Sequence, residues 1–120
     1  MHKFQDVPAS LEWLPPWEPV STGDVEYARE LERELSDQHP LFGIPAVAIA
    51  KRNDCDDVLF LTADPTKPLA AVHLTWRARS ESSSTWPFTK TYESWFDWIE
   101  RRMKPDHKEY SSDLTQGRES

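Results

Sequence analysis

Apolar positions change period along this chain, and the changes mark its elements. Between 45 and 76 they fall in three runs of strand length: PAVAIAK (45–51), VLFLT (58–62) and LAAVHLTW (69–76). In the first, Val47 and Ile49 share one face, with small alanines on the other. The second is apolar on both faces, the mark of a central strand. In the third, Ala70, Val72, Leu74 and Trp76 alternate with Leu69, Ala71, His73 and Thr75. The connections RNDCDD and ADPTKP are turn chemistry, and links this short join antiparallel neighbours. The pattern predicts a three-stranded antiparallel β-meander.

On either side of it the period becomes helical. Over 24–37, Val25, Ala28, Leu31, Glu32 and Leu35 lie along one stripe, while Arg29, Glu30, Arg33 and Glu34 fall elsewhere, on a face expected to be solvated. Thr22 or Asp24 is positioned to cap this N-terminal helix, and His39-Pro40 to end it. Over 91–104, Tyr92, Trp95, Phe96, Ile99 and Met103 make one apolar stripe, with Thr91 as N-cap, basic residues at the far end and Pro105 as the stop. Trimming Trp95 or Phe96 to alanine is expected to cost about 3–5 kcal/mol if both are buried. Trp98 falls one position off the stripe, at its edge or on an exposed contact. The expected fold class is α+β: an N-terminal helix, the meander, and a C-terminal amphipathic helix packed on one sheet face.

The domain organisation follows. Residues 1–23 hold Pro8, Pro15, Pro16 and Pro19 among Trp13 and Trp17, which describes an extended arm whose indoles either pack back onto the domain or dock a partner. Residues 24–108 form a single α+β domain, and 109–120 read as a disordered polar tail.

Composition narrows the chemistry. The net charge is −7, and residues 1–38, with nine acidic and three basic side chains, carry −6 of it. No basic stripe offsets this, which argues against nucleic acid; the acidic balance reads first as a route to solubility and second as an attraction for a basic protein partner. No apolar run reaches the roughly 20 residues of a membrane span. The N-terminus lacks the apolar region of a secretory signal, and one cysteine, Cys55, suits a reducing compartment, so a cytoplasmic location is expected.

The stretches HPLFG (39–43), DDVLF (56–60), PLAAVHLTW (68–76), WPFTKTYESWFDWIERRM (86–103) and DH (106–107) resemble a group of small uncharacterised bacterial proteins. That resemblance implies a bacterial source and assigns no site.

Candidate sites are few. His2, His39, His73 and His107 match no zinc spacing with Cys55, and Asp54, Asp56 and Asp57 lack the glycine and distal glutamate of a calcium loop, so no metal is expected. Phosphate-loop and dinucleotide glycine motifs are absent from the sequence, so no cofactor is expected either. His73 reads as a histidine on an exposed or helix-covered sheet face, or as a general base beside an aspartate such as Asp57. Trp86, in the serine-rich loop 77–88, Trp98 and Trp17 are interaction candidates. Two functions stay open: a non-catalytic interaction domain, immunity- or adaptor-like, or a small enzyme or ligand binder with a pocket near His73 and that loop. Homodimerisation is compatible with either.

Overall fold

A computed structural model describes residues 4, 6–21, 25–76 and 87–119, with side chains described as far as 112. The core follows from a sheet that is apolar on both faces. Among the described residues five strands form one antiparallel sheet in chain order: β1 (Trp17–Pro19), β2 (Ala46–Arg52), β3 (Asp57–Thr62), β4 (Leu69–His73) and β5 (Thr89–Tyr92). The meander is therefore its centre, and two strands extend it. β1 comes from the arm and pairs Trp17 with Arg52 and Pro19 with Ala50. It lies at the sheet edge, where a proline without an N–H is tolerated. β5 pairs Tyr92 with Leu69 and takes Thr91, expected as a helix cap, into a strand.

The α+β class stands, and the helices differ in extent from the expectation. α1 (Glu26–Glu34) is shorter than 24–37, and Leu35 is already extended. Val25 sits exposed at its N-cap without a side-chain cap bond, and the caps expected at Thr22 and Asp24 lie outside the described residues. α2 (Trp95–Trp98) is capped by Ser94, whose Oγ accepts from the Asp97 N–H at 3.0 Å. A π-helical turn (Ile99–Met103) follows, then α3 (Lys104–Glu119). Pro105 does not end the helix. In the widened turn the Lys104 N–H reaches the Ile99 carbonyl, five residues back, which opens the backbone just ahead of the proline ring. The segment 109–119, expected as a disordered tail, continues α3.

Each sheet face has its own core. Val58, Phe60, Ala70, Val72 and Leu74 pack with Leu31 and Leu35 of α1 and with Leu41. Leu59, Leu61, Leu69 and Ala71 pack with Trp95, Trp98 and Met103, and the arm closes this side through Trp17, Leu11, Trp13 and Leu14. The register shift between Ala48 and Ala50 explains why Ile49 and Ala50 serve the same core: the bulge breaks the alternation of β2. The arm indoles thus pack back onto the domain.

Two expected positions exchange roles. Phe96 is 74% exposed, and Trp98 is fully buried. Trp98 meets Trp13, Trp17 and Trp95 edge-on, with ring centroids 5.5–5.9 Å apart. The inward face of the C-terminal helix therefore runs through Trp95 and Trp98, and the extra residue of the π turn rotates Met103 back onto it. A stripe drawn for a regular helix alone selects Phe96 instead.

Candidate functional site

The pairing of β3 with β4 sets Asp57 opposite His73. On this face His73 Nδ1 lies 2.7 Å from Asp57 Oδ1, so the two catalytic candidates of the sequence, His73 and Asp57, are brought together. Asp57 also binds the Arg102 guanidinium through Oδ2. Arg102 Nε donates to Asp106 Oδ2 at 2.7 Å, and Trp17 Nε1 donates to the same oxygen at 2.8 Å. Arg52 Nη1 approaches Asp106 Oδ2 at 3.3 Å and makes two bonds of 2.8 Å to Asp54. Burial works against the charge of Arg102. Its bonds to Asp106 and Tyr92 and the nearby Asp57 more than offset this, so its pKa stands above the ordinary guanidinium value. The network ties the arm, the β2–β3 turn, β4 and the C-terminal helix to one another.

The arrangement has one feature of an acid–base pair: Asp57 fixes the orientation of the His73 ring, as a carboxylate does for a catalytic imidazole. Against this, the second oxygen of Asp57 is engaged by Arg102, and His73 lines none of the three clefts described below. The expected pocket between His73 and loop 77–88 involves residues 77–86, which lie outside the described residues. Trp86 lies outside them as well. Trp17 and Trp98, offered as interaction residues, are both buried; the arm lies across the helix and the indoles belong to the core.

A second cluster was not anticipated. Glu30 and Glu34, assigned to a solvated helix face, are both buried. Glu34 Oε1 accepts from the Thr75 N–H at 2.9 Å, and Oε2 from the Trp76 N–H at 2.7 Å. Burial, and then a side-chain bond with Glu30, raise the Glu34 carboxyl above its ordinary pKa, against the backbone donors that favour its charge. Two carboxyls in hydrogen-bond contact need a proton between them. Glu30 also pairs with Arg33 at 3.4 Å. No spacing rule marks such a pair, because the signal is the loop that folds over the helix.

His39, unassigned by sequence, is buried between turn and strand. The Leu41 N–H donates to its Nδ1 at 3.0 Å, and its Nε2 lies 3.1 Å from the Pro87 carbonyl, which can only accept. The ring is therefore the neutral Nε2–H tautomer, and burial pushes its pKa down. Cys55 is exposed at the β2–β3 turn, but desolvation raises its thiol pKa, which disfavours a nucleophilic role.

Three clefts among the described residues bear on function. An apolar groove of about 370 Å³ lies between α1 and the turns at 41–46, lined by Leu31, Leu35, Leu41, Phe42 and Ile44, with Glu32 as its charged member. Phe42 is 52% exposed at its border, while its neighbour Leu41 is buried; Gly43, at φ +78°, supplies the left-handed residue that the turn requires. A polar cleft of about 400 Å³ lies at the β2–β3 turn, between residues 51–58, Tyr27 and Trp76. A smaller one, about 200 Å³, is lined by Glu26, Arg29, Glu30, Arg33 and Trp76. Among the described residues no group of three His, Cys, Asp or Glu side chains is gathered to hold a metal ion, and no helix is long and apolar enough to cross a membrane.

No protein-family model, curated protein or solved structure matches this chain.

Proposed function

We propose that this chain is a non-catalytic protein-interaction domain of a bacterium, immunity- or adaptor-like, which receives an apolar segment of a basic partner in the groove between α1 and the 41–46 turns. The observation that carries this reading is Phe42, held out of the core at the border of an apolar groove by a turn that buries Leu41 beside it. Large exposed aromatics beside apolar concavities are what interface anchors are made of. The occupant follows from charge: the chain carries −7, and Glu32 is the charged residue of the groove. A partner segment with one or two apolar anchors next to a lysine or arginine satisfies both features.

The test is a purified one-to-one complex. A basic protein captured from the host and reconstituted with the purified chain should bind at least about tenfold more weakly to Phe42→Ser and to Glu32→Lys. Phe96→Ala, on the opposite side of the sheet, should bind as the wild type does. A captured partner indifferent to Phe42 and Glu32, or a chain that stays monomeric and captures nothing reproducible, overturns the reading. A concentration-dependent dimer lost in Phe42→Ser would assign the groove to a second copy instead.

The contact of 2.7 Å between His73 and Asp57 supports a second reading, an enzyme or ligand binder with His73 as general base. It ranks second because Arg102 holds the same aspartate. On this reading His73→Gln abolishes a turnover, or a ligand-induced rise in melting temperature, without unfolding the protein. A turnover that survives the substitution rules it out.

A further inference from the structure

The cleft at the β2–β3 turn combines features that the interaction groove lacks. Tyr27 and Trp76 form one of its walls, ring centroids 5.9 Å apart and planes at 67°. Trp76 is 44% exposed and stands at φ +58°, a left-handed conformation that residues with a side chain rarely adopt. It is held there by buried Glu34, whose carboxyl accepts the N–H groups of both Thr75 and Trp76. An indole displayed at the surface on a backbone fixed from beneath is a built wall, since its orientation does not depend on what later touches it.

The charges of the cleft do not cancel. Arg52 is engaged by Asp54 and Asp106. Asp57 is engaged by Arg102 and His73. Lys51 leans 3.9 Å from Glu18 on the neighbouring strand. Asp56 has no ion pair among the described residues, and its backbone is fixed by the Leu74 N–H at 3.2 Å. A carboxylate with no ion pair among the described residues and two aromatic rings thus face one space of about 400 Å³. That combination attracts a positive charge spread over carbon-bearing groups. The ring quadrupole binds the cation, and the carboxylate supplies the counter-charge. A hard metal ion would need more oxygen ligands than are gathered here.

We infer that the cleft between Tyr27, Trp76 and Asp56 is a binding site for an organic cation, an ammonium or guanidinium group. This site is separate from the groove at Phe42, so the two proposals stand or fall independently.

The inference is tested by NMR titration of the full chain, at matched ionic strength, with two probes. Tetramethylammonium chloride represents a small free organic cation and acetyl-Gly-Lys-Gly amide a partner's side chain. The expected result is saturable shifts of the Trp76 indole N–H, the Tyr27 ring and the amides of 53–57, with the groove signals unmoved. Trp76→Ala should weaken the binding at least about threefold, and so should Asp56→Asn on the exposed turn, whose amide spectrum elsewhere reports an intact fold. Tighter binding of tetramethylammonium points to a small-molecule source and tighter binding of the peptide to a protein one; either supports the site. Absence of saturation by both probes overturns it. So does equal binding of tert-butanol, the neutral counterpart of tetramethylammonium, or binding unchanged in Trp76→Ala.

Discussion

His39 holds its ring between two backbone groups that fix its protonation. Leu41 offers a proton to Nδ1, and the Pro87 carbonyl takes one from Nε2, so the protonated ring would lose the first bond. Burial, and then the positive charge of Lys67, lower its pKa; the Pro87 carbonyl pulls the other way and does not prevail. The unfolded chain therefore takes up a proton near pH 6.5 while the native ring still refuses it. This contribution to stability is complete above pH 6.5 and is lost as pH falls toward the depressed native value. Glu34 acts in the opposite sense: its raised pKa favours the native state below pH 4.5, and that advantage is lost as pH rises. The difference between wild type and His39→Asn isolates the histidine, since asparagine can still accept from the N–H two residues on. The wild-type urea midpoint should fall more than that of His39→Asn between pH 7.5 and 5.5. Parallel profiles would remove His39 from the account. The His73–Asp57 pair was legible because turn length sets register: Leu61 opposite Leu69 runs on to Asp57 opposite His73. Glu30 and Glu34 were not legible, since a helix face is solvated only until another segment crosses it.

At the scale of elements, the C-terminal helix separates periodicity from packing. Its aromatic positions announced a helix against the sheet, and the helix is there. The choice of face depended on a turn that widens to five residues and on an arm that arrives from the other end of the chain. Trp98 is buried at the meeting of Trp13, Trp17 and Trp95, so Trp98→Ala should cost about 3–5 kcal/mol in chemical denaturation. Phe96→Ala, at an exposed site, should fall within about 0.5 kcal/mol of the wild type. The reverse ranking would restore the regular stripe and refute the inward face described here. The three central strands were readable because each alternates or is apolar throughout. β1 and β5 were not, since each has four residues or fewer and the signal of so short a strand is its neighbour's free edge.

For the whole molecule, the arm decides whether there is one core or half of one. The face of the sheet that bears Leu59, Leu69 and Ala71 is covered by the C-terminal helix, and the arm closes what the helix leaves open. Trp17 reaches Asp106, and the Pro15 carbonyl accepts from the His107 ring at 2.7 Å, so the arm is bonded to the helix as well as packed on it. Removing residues 1–19 would strip β1 from the sheet, uncover Trp98 and leave Asp106 without its indole donor. The loss of Trp17 alone is worth about 3–5 kcal/mol. The partly buried Leu11, Trp13 and Leu14 add to this, and the sum is comparable to the roughly 5–15 kcal/mol by which whole domains are stable. The shortened chain should therefore lose cooperative unfolding and the near-ultraviolet dichroism of its packed indoles, and should bind a hydrophobic dye. An accessory arm predicts something else: a truncated protein that melts within a few degrees of the full chain, with its near-ultraviolet spectrum reduced only by the missing Trp13 and Trp17. A dye-free, cooperative truncation product would show that helix and sheet suffice without the arm. The arm would then be available to a partner, as its exposed-docking reading requires.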